Sequence, residues 1–93
     1  MLDMKDARLA VRLSNTEFDR ELQDLQDAAV ADLAAAGIAE MEDDRLYDQA
    51  LRMYLKGNFE PGAPEAAACR EIYERIKGTI KHSDKYREVN ADA

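Results

Sequence analysis

The sequence predicts an all-α fold: a small bundle of about four helices, with a short N-terminal helix, a long helix and a helical hairpin, ending in a polar C-terminal tail. Three observations carry that reading. Apolar residues recur at alternating three- and four-residue steps, which gathers them on one stripe of a helix. Residues that cap or open helices (Asp3, Ser14, Thr16, Asp44, Pro64) precede each stripe, and Gly37 and Gly57-Asn58 close two of them. No segment alternates apolar and polar residues as a half-buried strand would, and no repeat or low-complexity block interrupts the pattern.

The first helix is expected over about residues 4–13, with Asp3 as N-cap and Met4, Ala7, Val11 and the Leu9/Leu13 pair as its apolar residues. At about three turns it is marginal alone and must dock on a neighbour. The turn Ser14-Asn15-Thr16 follows, and both Ser14-x-x-Glu17 and Thr16-x-x-Asp19 read as capping boxes for the second helix. That helix runs to about residue 36, with Phe18, Leu22, Leu25, Ala29, Leu33 and Ala36 on one stripe and Gly37 supplying the left-handed residue that ends it.

Residues 38–44 form an acidic linker whose Asp43 and Asp44 place negative charge at the start of the third helix, where the helix dipole favours it. The third helix carries Leu46, Ala50, Met53 and Tyr54, an Asp48–Arg52 pair, and a predicted end at Gly57-Asn58. The breaker loop Phe59-Glu60-Pro61-Gly62-Ala63-Pro64 leads into the fourth helix, with Pro64 in its first turn. There Cys69, Ile72, Tyr73, Ile76 and Ile80 form the apolar side, and Arg70–Glu74 and Glu71–Arg75 are spaced to pair. The predicted core is Phe18, Leu22, Leu25, Leu33, Leu46, Ala50, Met53, Ile72, Ile76 and Ile80. Residues 1–86 read as a single helical domain, and 87–93 as a flexible tail.

Composition narrows the function classes. The 93 residues include 20 acidic and 13 basic side chains, a net charge of −7, with Arg and Lys interleaved among Asp and Glu so that no stretch reads as basic. Such a chain repels phosphates and anionic bilayers, which argues against a conventional nucleic-acid-binding domain. A single cysteine, Cys69, excludes an intrachain disulfide and fits a reducing compartment. The longest apolar run, Ala28-Ala29-Val30-Ala31, falls far short of the ~20 residues that span a bilayer, and the acidic start at Asp3 and Asp6 does not read as a signal peptide. The expectation is a soluble cytosolic chain.

No chemistry stands out, and no catalytic, cofactor-binding or metal-ligating residue is predicted. His82 is the only histidine and has neither a second ligand nor a nucleophile nearby in sequence; a solvated residue at a helix end accounts for it. Cys69 sits on an apolar side with no base in view, which reads as a small buried hydrophobe. The acidic run from Glu40 to Asp44 lacks the alternating oxygen ligands and central glycine of a calcium loop. Tyr47, Tyr54, Tyr73 and Phe59 read as hairpin packing, with an interface role for Tyr47 or Tyr54 as the alternative. The expectation is a protein that is not an enzyme.

The order of the segments is informative beyond their periodicity. Glu17-Phe18-Asp19-Arg20-Glu21-Leu22-Gln23-Asp24-Leu25-Gln26-Asp27-Ala28-Ala29 follows the short helix and its Ser/Thr turn; Ala31-Asp32-Leu33 and Gly37-Ile38 lead into the acidic linker. Then come Leu46 through Phe59, ending Tyr54-Leu55-Lys56-Gly57-Asn58-Phe59, and finally Ile72-Tyr73-Glu74-Arg75-Ile76-Lys77 and Ser83-Asp84-Lys85-Tyr86. Over about residues 2–86 this resembles the small head–tail connector proteins of long-tailed bacteriophages and prophages, often labelled phage DNA-packaging proteins.

The resemblance implies an all-helical structural subunit of virion assembly, a homo-oligomeric ring of about a dozen copies. The ring would sit beneath the portal protein, complete the packaged head and join it to tail-side connector proteins. DNA would pass through its channel without sequence-specific binding, and no membrane or cofactor would be involved. The implied location is the cytoplasm of the bacterial host during assembly, then the head–tail junction of the virion. An acidic ring suits a conduit that must not grip its cargo, and its mutual repulsion should ease as salt rises unless the lateral contacts are themselves ion pairs. The alternative reading is a helical adaptor or regulatory module outside any virion, binding a partner helix.

Overall fold

Asp3 and Asp44 start two helices as their side chains require. In the computed structural model, which describes residues 1–83, the Asp3 carboxylate accepts from the Asp6 amide at 2.8 Å and opens α1 (Met4–Ala10). Asp44 accepts from the Tyr47 amide at 2.9 Å and opens α3 (Arg45–Asn58). Between them lies α2 (Asp19–Ala35), and α4 (Ala66–Lys81) completes the order. The fold is all-α, with no strand among the described residues. The tail expected at 87–93 lies outside the described residues.

Helix ends show where local chemistry decided and where packing did. Gly37, at φ 88°, ends α2 as predicted: its amide donates to the Ala34 carbonyl, and the Ile38 amide donates back to Leu33 at 2.9 Å. Ile38 and Leu33 are both fully buried, so the hydrophobic contact that accompanies this ending is in place. The end of α1 uses the same bonding pattern with a non-glycine. Arg12 adopts φ 60° while Leu13 donates to the Arg8 carbonyl at 2.9 Å, so the helix stops at Ala10 rather than continuing to Leu13.

Neither predicted capping box forms at α2. The Asn15 side chain instead accepts from the Glu17 amide at 3.1 Å, and the helix begins only at Asp19, after an N-cap residue, Phe18, that makes no side-chain bond. Pro64 likewise falls short of the α4 first turn, since Glu65 is the N-cap and Ala66 the first helical residue.

The third helix is the centre of the molecule, touching α1, α2 and α4. Tyr47, Ala50, Leu51, Met53, Leu55 and Gly57 are buried along it, and Arg45 is its sole exposed residue. The predicted single stripe through Leu46, Ala50, Met53 and Tyr54 therefore understated its burial. A helix packed on by three others buries more than one narrow stripe, and only the strip away from them stays polar. Gly57 does not end it, as predicted, because the helix continues through Asn58 and Phe59 keeps a right-handed φ of −67°. What Gly57 provides is close approach: a Cβ there would sit 2.6 Å from the Arg70 Cγ and 3.1 Å from the Arg70 backbone nitrogen. The α3–α4 crossing is set by that missing methyl.

The predicted core holds in part. Leu22, Leu33, Ala50, Met53 and Ile80 are buried, and Leu25, Leu46 and Ile76 are half-buried against the cluster. Phe18 and Ile72 are instead exposed, at 38% and 36%. Phe18 stands just outside α2, packed edge-on against Phe59 at 5.6 Å. The buried seam of α4 runs through Ala66, Cys69, Tyr73 and Ile80, and Ile72 lies about 100° off the adjacent Tyr73 on the helix. The core also takes in Leu2, Ala7, Ala10, Tyr47, Leu51 and Leu55.

Candidate assembly surface

One polar cluster ties α2 to α4. The Tyr73 hydroxyl donates to Asp32 at 2.5 Å, and the Lys77 ammonium bonds Asp32 at 2.9 Å and Glu74 at 2.7 Å. Lys77 also sits 5.2 Å from the centre of the Tyr73 ring, whose other neighbour is the Tyr54 ring, edge-on at 5.1 Å. These bonds hold the Asp32 carboxyl below its ordinary range, first through Tyr73 and then through Lys77. The Tyr73 hydroxyl is pushed well above the ordinary tyrosine value, by burial first and then by Asp32. Burial opposes the charge on Lys77, but its bonds to Glu74 and Asp32 prevail and raise it. The cluster thus joins α2 to α4 through charge-assisted bonds on Asp32.

His82 is the exposed C-cap of α4, and its amide donates to the Gly78 carbonyl. Cys69 is buried at 8% exposure, the small hydrophobe expected. In the acidic linker Asp44 serves as an N-cap and Asp43 takes a left-handed φ of 54°. Among the described residues no three His, Cys, Asp or Glu side chains are grouped closely enough to hold a metal. No described helix is long and apolar enough to cross a membrane. Tyr47 is wholly buried within the chain, as packing requires, and Tyr54 is half-buried, its ring edge-on against Tyr73. The Tyr47 hydroxyl has no hydrogen-bond partner among the described residues and is pushed up to about 12, by burial first and then by the nearby charges of Glu40 and Asp48.

None of the i,i+4 ion pairs expected from spacing, Asp48–Arg52, Arg70–Glu74 and Glu71–Arg75, forms among the described residues. Arg70 donates to the Gly57 carbonyl at 2.7 Å instead of pairing with Glu74, which takes Lys77. Asp48 does not pair with Arg52; one of its carboxylate oxygens is buried without a partner. Arg8 on α1 grips Asp19 on α2 with two bonds of 2.8 and 3.1 Å, a bidentate pair not foreseen.

What is left open on the surface is more telling. A groove of about 560 Å³ lies where the end of α1 meets the end of α3 and the start of α4. It adjoins a second of about 290 Å³ between α1 and α3, the two sharing Ala10 and Lys56. Leu9, 63% exposed, lines the second and is the most exposed large hydrophobe among the described residues. The outward strip of α3 is Arg45, Gln49, Arg52 and Lys56, at helical spacing, and on the adjoining α1 side Lys5 and Arg12 are exposed. Reading charge along the chain hid this strip, because the nearby acids Asp44, just before Arg45, and Asp48, between Arg45 and Arg52, are drawn into a cap and a partly buried position.

The chain matches no protein-family model, no curated protein and no solved structure.

Proposed function

We propose that this protein is a structural, non-enzymatic head–tail connector of a tailed bacteriophage or prophage. It acts by self-association into a ring under the portal and by joining the completed head to tail-side proteins. The observation that carries the reading is the order and spacing of the segments from the short first helix to Ile72-Tyr73-Glu74-Arg75-Ile76-Lys77. The architecture is compatible with it in one physical respect. A ring needs two different surfaces on each copy, and the α1/α3 groove and the outward side of α2 are separate and both exposed. The net charge of −7 suits a channel wall that lets DNA pass without holding it.

Assembly would take place in the bacterial cytoplasm, and the finished position is the head–tail junction. The test is genomic position: the gene is expected among those for portal, capsid and tail proteins, and a gene isolated from all of them overturns the reading. The groove beside Leu9 favours a second reading, an adaptor outside any virion that seats one partner helix. Co-purification with a portal protein encoded beside it separates the two, since only a connector is retained.

A further inference from the structure

We propose that the basic α1/α3 face of one copy seats the acidic outward face of α2 from a second copy. The inference rests on the assembly reading above for the kind of occupant, and it names the two surfaces that meet.

The receiving face is charged against the trend of the molecule. In a chain of net charge −7, Arg52 and Lys56 line one groove with Leu9 and Arg12 lines the adjoining one, with exposed Arg45 on α3 and Lys5 on α1; none of the five forms an ion pair or hydrogen bond within the described residues. Asp6 lies at the same groove and Glu60 and Glu65 at its far end by the α3–α4 loop, so bases prevail on the α1/α3 half. A long helix with unpartnered bases along its outward strip lowers its free energy by meeting carboxylates at matching spacing.

The occupant is argued from the same chain. On α2, Glu21, Asp24 and Ala28 follow one another on a single exposed strip, with Asp27 beside them. Among the described residues Glu21 and Asp24 form no ion pair, and Asp27 accepts only from Gln23, at 2.9 Å. Residues three apart rise ~4.5 Å along a helix and residues four apart ~6 Å, so Glu21 with Asp24 is in reach of Arg52 with Lys56. One turn on, exposed Ala28 and Ala31 continue the α2 strip and give Leu9 a small-residue surface to pack on. Leu9 also decides between a protein and a nucleic acid, because a phosphate backbone offers nothing to an exposed leucine at the centre of the face. The two surfaces differ, so the contact is heterologous, and each copy both gives and receives.

The test is a charge swap read by sedimentation velocity across a concentration series at 0.1 M salt. The wild-type protein is expected to associate as concentration rises. Arg52→Glu with Lys56→Glu in one variant, and Glu21→Lys with Asp24→Lys in another, should each weaken association at least tenfold while leaving the helical CD spectrum unchanged. Leu9→Asp should weaken it similarly without altering the receiving charges on α3. An equimolar mixture of the two charge variants should recover association, because each reversed face then meets its complement and each native face meets the other variant's native face. Raising salt to 1 M should weaken the wild-type contact. The proposal is overturned if the wild type stays monomeric, if a charge variant associates like wild type, if the mixture fails to recover, or if the basic face instead retains duplex DNA. A monomeric wild type leaves the genomic test standing, so the two failures are told apart.

Discussion

Two tyrosines with opposite surroundings show how far a single hydroxyl is set by its neighbours. Tyr73 donates to Asp32, whereas the buried Tyr47 hydroxyl has no partner among the described residues. Tyr73→Phe should therefore destabilise by about 1 kcal/mol, a charge-assisted bond discounted because the Asp32 side chain is 43% exposed. Tyr47→Phe should be neutral or stabilising by up to ~1 kcal/mol, since it removes a desolvated group with nothing to lose. Urea unfolding of both variants measures the difference, and an equal loss at the two sites would contradict the assignment. The same cluster fixes the sign of the acid response. Asp32 is held below its ordinary range, so its contribution is full above the unfolded carboxyl value near ~4 and is lost as pH falls through the depressed value. Asp32→Asn should flatten the acid limb of stability below the unfolded carboxyl value near ~4 and leave its slope near neutrality unchanged. An unchanged acid limb would show that the carboxylate is not held by Tyr73 and Lys77.

At the scale of elements, the boundaries written in local chemistry were legible and those written by packing were not. The Asp3 cap and the left-handed Gly37 need only a few neighbouring residues to act, and both are where the sequence puts them; Asp44, expected only as negative charge at the start of α3, also caps it. The opening of α2 offered several competing polar groups between Ser14 and Thr16, and Asn15 prevailed. Gly57 was misread because a glycine near a helix end has two uses, and choosing between them requires knowing that Arg70 lies across from it. That choice is testable by paired substitutions. Gly57→Ala gains helix propensity of up to ~1 kcal/mol but drives a methyl into Arg70, whose backbone cannot yield, so a net loss of about 1–3 kcal/mol is expected. Gly78→Ala, inside α4 with nothing within 4 Å of the added carbon, should stabilise by about 0.5–1 kcal/mol. Thermal melts that rank the two variants the other way would remove the close-approach role of Gly57. The α1/α3 surface was illegible for a related reason: it joins residues 5–12 to 45–56, and its bases are separated in sequence by acids that the fold turns to other uses.

For the molecule as a whole, one quantity acts in opposite directions on two equilibria. The net charge of −7 opposes folding through self-repulsion, and the described ion pairs that offset it, such as Arg8–Asp19 and Lys77–Asp32, are partly solvated and individually modest. Between 0.01 and 0.1 M salt the Debye length contracts from ~30 to ~10 Å, which screens repulsion across the molecule while leaving contacts of about 3 Å largely intact. The melting temperature of the dilute monomer should therefore rise over that range by a few degrees, since ~1 kcal/mol corresponds to about 4–8 °C for a domain of this size. The contact between copies should respond the other way, because its charges are matched locally and screening weakens them. Differential scanning fluorimetry at low concentration and sedimentation at high concentration, run in the same salt series, read the two slopes separately. A melting temperature that falls with salt would mean that ion pairs outweigh net charge even within one chain, and self-repulsion could then no longer be the force that lateral contacts must overcome.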